Sequence, residues 1–280
     1  MFGRKYLDVK TADQIRTMRV AGVVVGETLE LIRAEVHAGM TTGDLDRTAE
    51  KFIRSQGATP SFLGYHGFTG SLCVSVNEEV VHGIPGSRTL RDGDLVSIDC
   101  GAIVDGWHGD AAISMIVGGR EAGSARDLAL MDATEASMWS GISALAVGSP
   151  LYDVGAAVED SIVDAARADG ATYGIIEDYV GHGIGTEMHQ DPQVPNYRVR
   201  DRGPTVRSGV TVAIEPMVTL GSAETDVLDD DWTVVTHDGS RAAHWEQSVA
   251  VTDAGIWVLT ALDGGRERLE ALGAAYAPLA

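Results

Sequence analysis

Residues 93–113, GDLVSIDCGAIVDGWHGDAAI, carry two strand-forming runs on either side of Asp105-Gly106. Asp-Gly tolerates the positive φ angles that a tight two-residue hairpin turn requires. With that turn Val104 faces Trp107 and Asp99 faces Ala112, and residues two apart along a strand share a face. Asp110 then falls on the face of Asp99, on the diagonal, with Cβ atoms roughly 7 Å apart or less. A loop one residue longer would put the two on opposite faces. Around them stand Leu95, Val96, Ile98, Ala111, Ala112 and Ile113, a setting in which two bare carboxylates repel and are costly to bury. A cation removes both problems.

Upstream of the hairpin, Ala12 to Ala38 has helical spacing, with Ile15, Met18, Val23, Leu29 and Ile32 on one stripe and Gly39 as the stop. Thr42 is a fitting N-cap for a second helix through Ser55, closed by Gly57. A Gly- and aromatic-rich loop follows between Phe62 and Ile84, containing a strand-like run, Leu72 to Val76. Downstream the same order returns. Ala125 to Val147 and Leu151 to Ala168 read as helices, Gly181 to Gly185 as a Gly-rich loop, Val210 to Met217 as a strand, and His244 to Thr252 as the last strand. Segment 39–53 resembles 148–162, 90–99 lines up with 206–215, and His66-Gly67 matches His182-Gly183. Asp99 and Glu215 thereby occupy equivalent strand ends. The expected class is α+β, a curved antiparallel sheet covered by two helix pairs. The expected layout is a short N-terminal extension (1–11), one catalytic domain (12–265) with an internal pseudo-repeat of about 12–120 and 121–260, and a C-terminal tail (266–280).

The second half supplies further metal-ligand chemistry. Glu215 in TVAIEPMV and Glu246 in HWEQSVAV each sit in an otherwise apolar strand, and His182 lies in the Gly181-His182-Gly183 turn. Four carboxylates and one imidazole are the ligand supply for two adjacent divalent ions. Mn, Fe, Co or Zn suits that set better than a thiolate-rich structural zinc site does. A lone Asp at a strand end is ordinarily a turn or cap, and a lone His in a loop ordinarily satisfies a local group. Five together would each need a separate buried partner. HExxH and Gly-x-Ser-x-Gly are both missing from the sequence, and Gly181-x-Gly183-x-Gly185 follows no βαβ unit.

Composition excludes other classes. With 21 basic and 41 acidic residues the net charge is −20, which argues against direct nucleic-acid binding. Hydrophobic residues make up 44% of the chain, enough for a large core. The start, MFGRKYLDVK, has no apolar secretory core, and no apolar run approaches the ~20 residues that cross a bilayer. Cys73 and Cys100 stand in apolar runs as small buried side chains. A cytoplasmic protein without membrane contact is expected.

Segments 60–85, 93–113, 181–192 (GHGIGTEMHQDP), 213–221 (AIEPMVTLG) and 244–253 (HWEQSVAVTD) together resemble type I methionine aminopeptidases, in order and over nearly the whole chain. The resemblance implies the pseudo-two-fold "pita-bread" fold and hydrolytic removal of the initiator methionine when the second residue is small, by a metal-bridging hydroxide. It implies Asp99, Asp110, His182, Glu215 and Glu246 as ligands of two divalent cations (Co, Mn, Fe or Zn), with Asp110 and Glu246 bridging. Glu215 is the expected general base, His189 the stabiliser of the oxyanion, and His82 the contact to the scissile amide nitrogen. Phe62, Tyr65, Phe68, Cys73, Met188 and Trp232 are candidates for the methionine slot. Expected partners are the N-termini of nascent polypeptides, met at the ribosome by a monomeric enzyme.

Several positions depart from the family's common pattern. Phe62 stands where cysteine is common, Phe68 where tyrosine is, Met188 where phenylalanine often precedes the second histidine, and Gln247-Ser248 replaces a His-Thr pair. None of these is a ligand position. The Xaa-Pro aminopeptidase type carries a large N-terminal domain, for which a first helix near residue 12 leaves no room. The type II enzymes carry a helical insertion longer than the span from His189 to Glu215. A binding module of the same fold without catalysis need not keep all five ligands.

Overall fold

A computed structural model describes residues 7–279; Met1 to Tyr6, most of the expected N-terminal extension, and Ala280 lie outside the described residues. Helix α1 (Ala12–Glu35) begins with a capping box, in which Thr11 and Gln14 satisfy each other's backbone N–H groups. It ends three residues before the expected Ala38. Helix α2 (Thr42–Ser55) is capped by Thr41, not Thr42: Asp44, three residues beyond Thr41, returns the reciprocal hydrogen bond, whereas Thr42 has Leu45 at that spacing. Strands β1 (Thr59–Pro60), β2 (Leu72–Val76) and β3 (Glu79–Val81) follow. The hairpin of β4 (Leu95–Val104) and β5 (Trp107–Ile116) turns through Asp105 at φ 49° and Gly106 at φ 79°, pairing Val104 with Trp107 and Asp99 with Ala112. The two-residue turn and its register are as the sequence requires.

In the second half come α3 (Ala125–Ser143), α4 (Asp153–Asp169), β6 (Gly174–Ile175), β7 (Gly181–Gly183), β8 (Gln190–Val194) and β9 (Thr211–Ile214). They are followed by β10 (Met217–Thr219), β11 (Thr225–Val227), β12 (Val234–Thr236), β13 (Ala242–His244), β14 (Glu246–Thr252), β15 (Gly255–Val258) and α5 (Arg266–Ala271). Four sequence expectations change here. Gly181–Gly183 is a strand, not a loop, pairing with both β8 and β9; a Cβ on Gly181 would lie 2.4 Å from the Ala213 carbonyl oxygen, so bare glycine permits the close approach. The expected strand Val210–Met217 breaks at Glu215-Pro216, where proline has no N–H for the ladder, and β10 joins a different sheet. The expected strand His244–Thr252 likewise breaks at Trp245. Strand β15 then follows it and pairs back on β14. Asp99 also lies inside β4 rather than at its end.

The main sheet runs β1-β4-β5-β14-β9-β7-β8, with β2 paired to β4 and β15 to β14, all antiparallel. The central pair, β5 and β14, is flanked by β4 and β9. There are two smaller three-stranded sheets, β13-β10-β6 and β11-β12-β3. This curved, partly open sheet with flanking helices is the pita-bread architecture. Helix α1 packs on β4 and β5, and its approach depends on missing side chains: a Cβ on Gly109 would sit 2.7 Å from the Gly22 nitrogen. Val24 and Val25 of α1, rather than Val23, complete its buried stripe. Near the end of the chain Leu269 of α5 is fully buried in the main core.

Candidate metal centre

Strands β4, β5, β7 and β14 and the ends of β9 and β13 converge on one cleft with about 620 Å³ of open space. Its lining contains Asp99, Asp110, His182, Glu215 and Glu246, both His82 and His189, and the slot candidates Phe62, Tyr65, Phe68, Cys73, Met188 and Trp232. Val81 and His244 complete it. The register pairs Asp99 with Ala112 and Gly101 with Asp110, which puts Asp99 and Asp110 on one face of the hairpin, as read from the Asp-Gly turn. Two groups of ligand atoms lie within 4.8 Å of one another: Asp110, His182 and Glu246, and Glu215, His244 and Glu246. Glu246 belongs to both. Asp99 belongs to neither and adjoins the first through Asp110.

The donors fit a cation. Asp99 Oδ1, Asp110 Oδ1, Glu246 Oε1 and His244 Nε2 are buried with no hydrogen-bond partner. Leaving such groups unsatisfied costs about 1–3 kcal/mol each, more for charges, and a divalent ion is the partner that suits carboxylate oxygens and imidazole nitrogen together. His182 is oriented for ligation: its Nδ1 lies 3.0 Å from the Gly183 carbonyl, an acceptor only, so the proton sits there and Nε2 faces the cleft. Asp110 is braced by Ser248, whose Oγ accepts from the Asp110 N–H at 3.0 Å and donates to the Asp110 carbonyl at 2.7 Å. Gln247 accepts a hydrogen bond from Thr260 at 2.6 Å. The Gln-Ser pair thus keeps three supporting hydrogen bonds beside the site.

Burial dominates the electrostatics. It pushes the Asp99 carboxyl up to about 7, and it drives Asp110, Glu215 and Glu246 well above the carboxylate range, with their mutual repulsion adding to the effect. Burial lowers His82 to about 4 and His182 and His244 to about 3, with neighbouring imidazoles acting the same way. The 3.3 Å contact of His182 Nε2 with Glu215 Oε1 has ion-pair distance, yet both partners are pushed toward their neutral forms. It is a contact between two donors of one site rather than a salt bridge.

Above the carboxylates, Phe62, Phe68, Cys73 and Met188 form a separate buried apolar cluster, with Tyr65, Ile84 and Trp232 packed against it. Trp232 meets Phe68 edge-on at 5.1 Å. His189 stands between slot and carboxylates, its Nδ1 2.8 Å from the Tyr65 hydroxyl and its ring 4.4 Å from that of His182. His82 has φ 59°, a left-handed conformation unusual outside glycine, and its ring lies 6.2 Å from Trp232. His244 is the lining histidine missing from the sequence expectation. A signal existed: it stands two residues before Glu246, and on the single strand expected from His244 to Thr252 the two would share a face.

Comparison with known proteins agrees with this geometry. Residues 16–253 match metallopeptidase family M24. Methionine aminopeptidase 1 of Mycobacterium tuberculosis is 52% identical over 259 residues, spanning 92% of this chain and 96% of that protein. The crystal structure of methionine aminopeptidase from Thermotoga maritima superposes with a TM-score of 0.86 at 37% identity, covering 91% of this chain and all of the other. The enzyme from Rickettsia prowazekii gives 0.85 at 35% identity, over 91% of this chain and all of that one. Fold, donor set and relatives coincide over almost the full length, and the chain belongs to metallopeptidase family M24, among its methionine aminopeptidases.

Proposed function

We propose that this enzyme removes the initiator methionine from nascent polypeptides when the second residue is small, using two divalent cations. The observation that carries the proposal is one cleft floored by unpartnered buried carboxylate oxygens and walled by a sulfur- and aromatic-lined slot. Asp99, Asp110, His182, Glu215 and Glu246 would hold the cations, with Asp110 and Glu246 shared. Bound cations of the Mn, Fe, Co or Zn type would supply Lewis acidity and lower the pKa of water to near neutral.

The chain's own residues do the rest. Glu215 accepts the proton of the attacking water, a general-base contribution of about 10²–10⁴-fold. With the Tyr65 hydroxyl donating to Nδ1, the neutral His189 ring carries its proton on Nε2, a donor for the negative charge that develops on the scissile carbonyl. His82, kept neutral by burial, contacts the scissile amide nitrogen. Phe62, Phe68, Cys73, Met188 and Trp232 take the thioether chain, whose soft sulfur suits aromatic edges. No helix of the described residues is long and apolar enough to cross a membrane. A cytoplasmic monomer acting on chains at the ribosome is the setting this reading entails.

The test is hydrolysis of Met-Ala-Ser and Ala-Pro-Ala with Mn(II) or Co(II), before and after chelation, in wild type and E246A. Metal-dependent cleavage of the first peptide alone is expected, with E246A down by several orders of magnitude. Full activity of E246A with metal added back would sink the proposal.

A further inference from the structure

Strand β13 pairs with β10 at His244 opposite Met217, two residues beyond Glu215. The backbone of His244 is fixed from the β4–β5 hairpin: its N–H donates to Ser97 and Ser114 Oγ at 3.2 and 3.0 Å, and Ser114 donates back to its carbonyl at 2.9 Å. The ring is 2% exposed and Nε2 has no hydrogen-bond partner. That nitrogen lies 3.9 Å from Glu215 Oε2, while Glu215 Oε1 lies 3.3 Å from His182 Nε2. One carboxyl group is flanked by two imidazoles, one at each oxygen.

The rings differ in what they can offer. His182 keeps its proton on Nδ1, against the Gly183 carbonyl, and turns a lone pair toward the cleft. A lone pair on His244 Nε2 would instead face the lone pairs of an ionised Glu215. We propose that His244 is a positioning residue: in the metal-loaded enzyme its Nε2–H donates to Glu215 Oε2 and holds Oε1 toward His182 and the cations. This inference rests on the proposed role of Glu215 as ligand and proton acceptor. Groups that orient a ligand in this way typically contribute 10–100-fold in metal affinity or activity. Direct ligation by His244 is the competing outcome, since its nitrogen, Glu215 and Glu246 lie within 4.8 Å of one another. It requires the opposite tautomer.

The tautomer is readable in wild-type enzyme, labelled with ¹⁵N-histidine and loaded with Zn(II), from long-range ¹H–¹⁵N correlations. The expected result is a proton on Nε2 of His244 and on Nδ1 of His182. In parallel, H244M removes the donor at similar bulk and H244Q replaces it with an amide N–H. H244M should lose roughly 10–100-fold in kcat on Met-Ala-Ser with little change in KM. H244Q should restore most of that loss, and both should bind two Co(II) with the wild-type absorption spectrum. A bare Nε2 in the loaded protein, or an altered cobalt spectrum in H244M, would make His244 a ligand and overturn the inference. Equal kcat in H244M and wild type would reduce it to a lining residue. Wild type that binds fewer than two Co(II) would overturn the dinuclear reading and this inference with it, a failure distinct from the other two.

Discussion

Chelation should make the fold weaken as pH rises above about 6.5, and reloading with metal should reverse that trend. Four carboxyl groups share the floor of one cleft, and burial raises the pKa of each in the folded chain above its unfolded value. A carboxyl raised in this way favours the folded state fully below the unfolded pKa, and that contribution is lost as pH climbs through the folded value. For Asp99 the window runs from 3.8 to about 7. At about 1.4 kcal/mol for each tenfold change in proton affinity, Asp99 alone loses about 4 kcal/mol across it. His82, His182 and His244, which burial lowers to about 3 or 4, act in the opposite sense and add stability as pH rises to 6.5. The two trends offset below that point; above it the metal-free melt should fall, by roughly 2–4 °C per kcal/mol lost, as Asp110, Glu215 and Glu246 go on losing protons. Cations compete with protons for the same oxygens, and their stabilisation, about 4 kcal/mol per site at a thousand times Kd, grows with pH. The assay is thermal unfolding by circular dichroism at half-unit pH steps, after chelation and again with Mn(II) added. Parallel curves, or a gap that narrows with rising pH, would refute the claim that these carboxylates are buried together and await metal.

Two further outcomes test other parts of the structure. On a panel of Met-Gly, Met-Ala, Met-Ser, Met-Lys, Met-Trp and Leu-Ala, kcat/KM should be high for the first three and low for the rest; a branched side chain in the slot costs only about 1–3 kcal/mol, so slow Leu-Ala turnover is allowed, and a Met-Trp value equal to Met-Ala would exclude the slot assignment. G109A should cost about 1–3 kcal/mol in urea unfolding, because the added Cβ would meet the backbone of Gly22 and Ala21 at 2.7–2.9 Å; an unchanged midpoint would show that α1 can shift away from β5.

Much of this centre was legible because its governing signals are local. Asp105-Gly106 sets a turn length, the turn sets a register, and the register puts Asp99 and Asp110 on one face before any tertiary contact is known. Helix starts are legible to within two residues, α4 opening at Asp153 rather than Leu151; both Thr41 and Thr42 carry a capping hydroxyl, but only Thr41 has a carboxylate three positions on. What escaped depends on distant backbone. Gly181–Gly183 looks like a loop by composition, yet its lack of side chains is what allows β8 and β9 to close on either side. The breaks at Pro216 and Trp245 hand β10 and β13 to another sheet, and no periodicity within either run announces that transfer. His244 is hidden for a related reason: the sequence around a lone imidazole does not show which side chain from the end of β9 it will meet.

The seam between β5 and β14 has a consequence for how the enzyme comes into being. Glu246 pairs with Ala112 across it, and the Ser248 brace on Asp110 joins positions 138 residues apart in sequence. Contacts of such long range close late, after the local hairpins and helix pairs have formed. The centre is therefore finished among the last steps of assembly, when the two halves meet. A chain interrupted before its final strands would lack Glu246, the donor common to both ligand groups, and with it a complete site. Competence to process other newborn chains thus arrives only once this one has itself been made almost to its end.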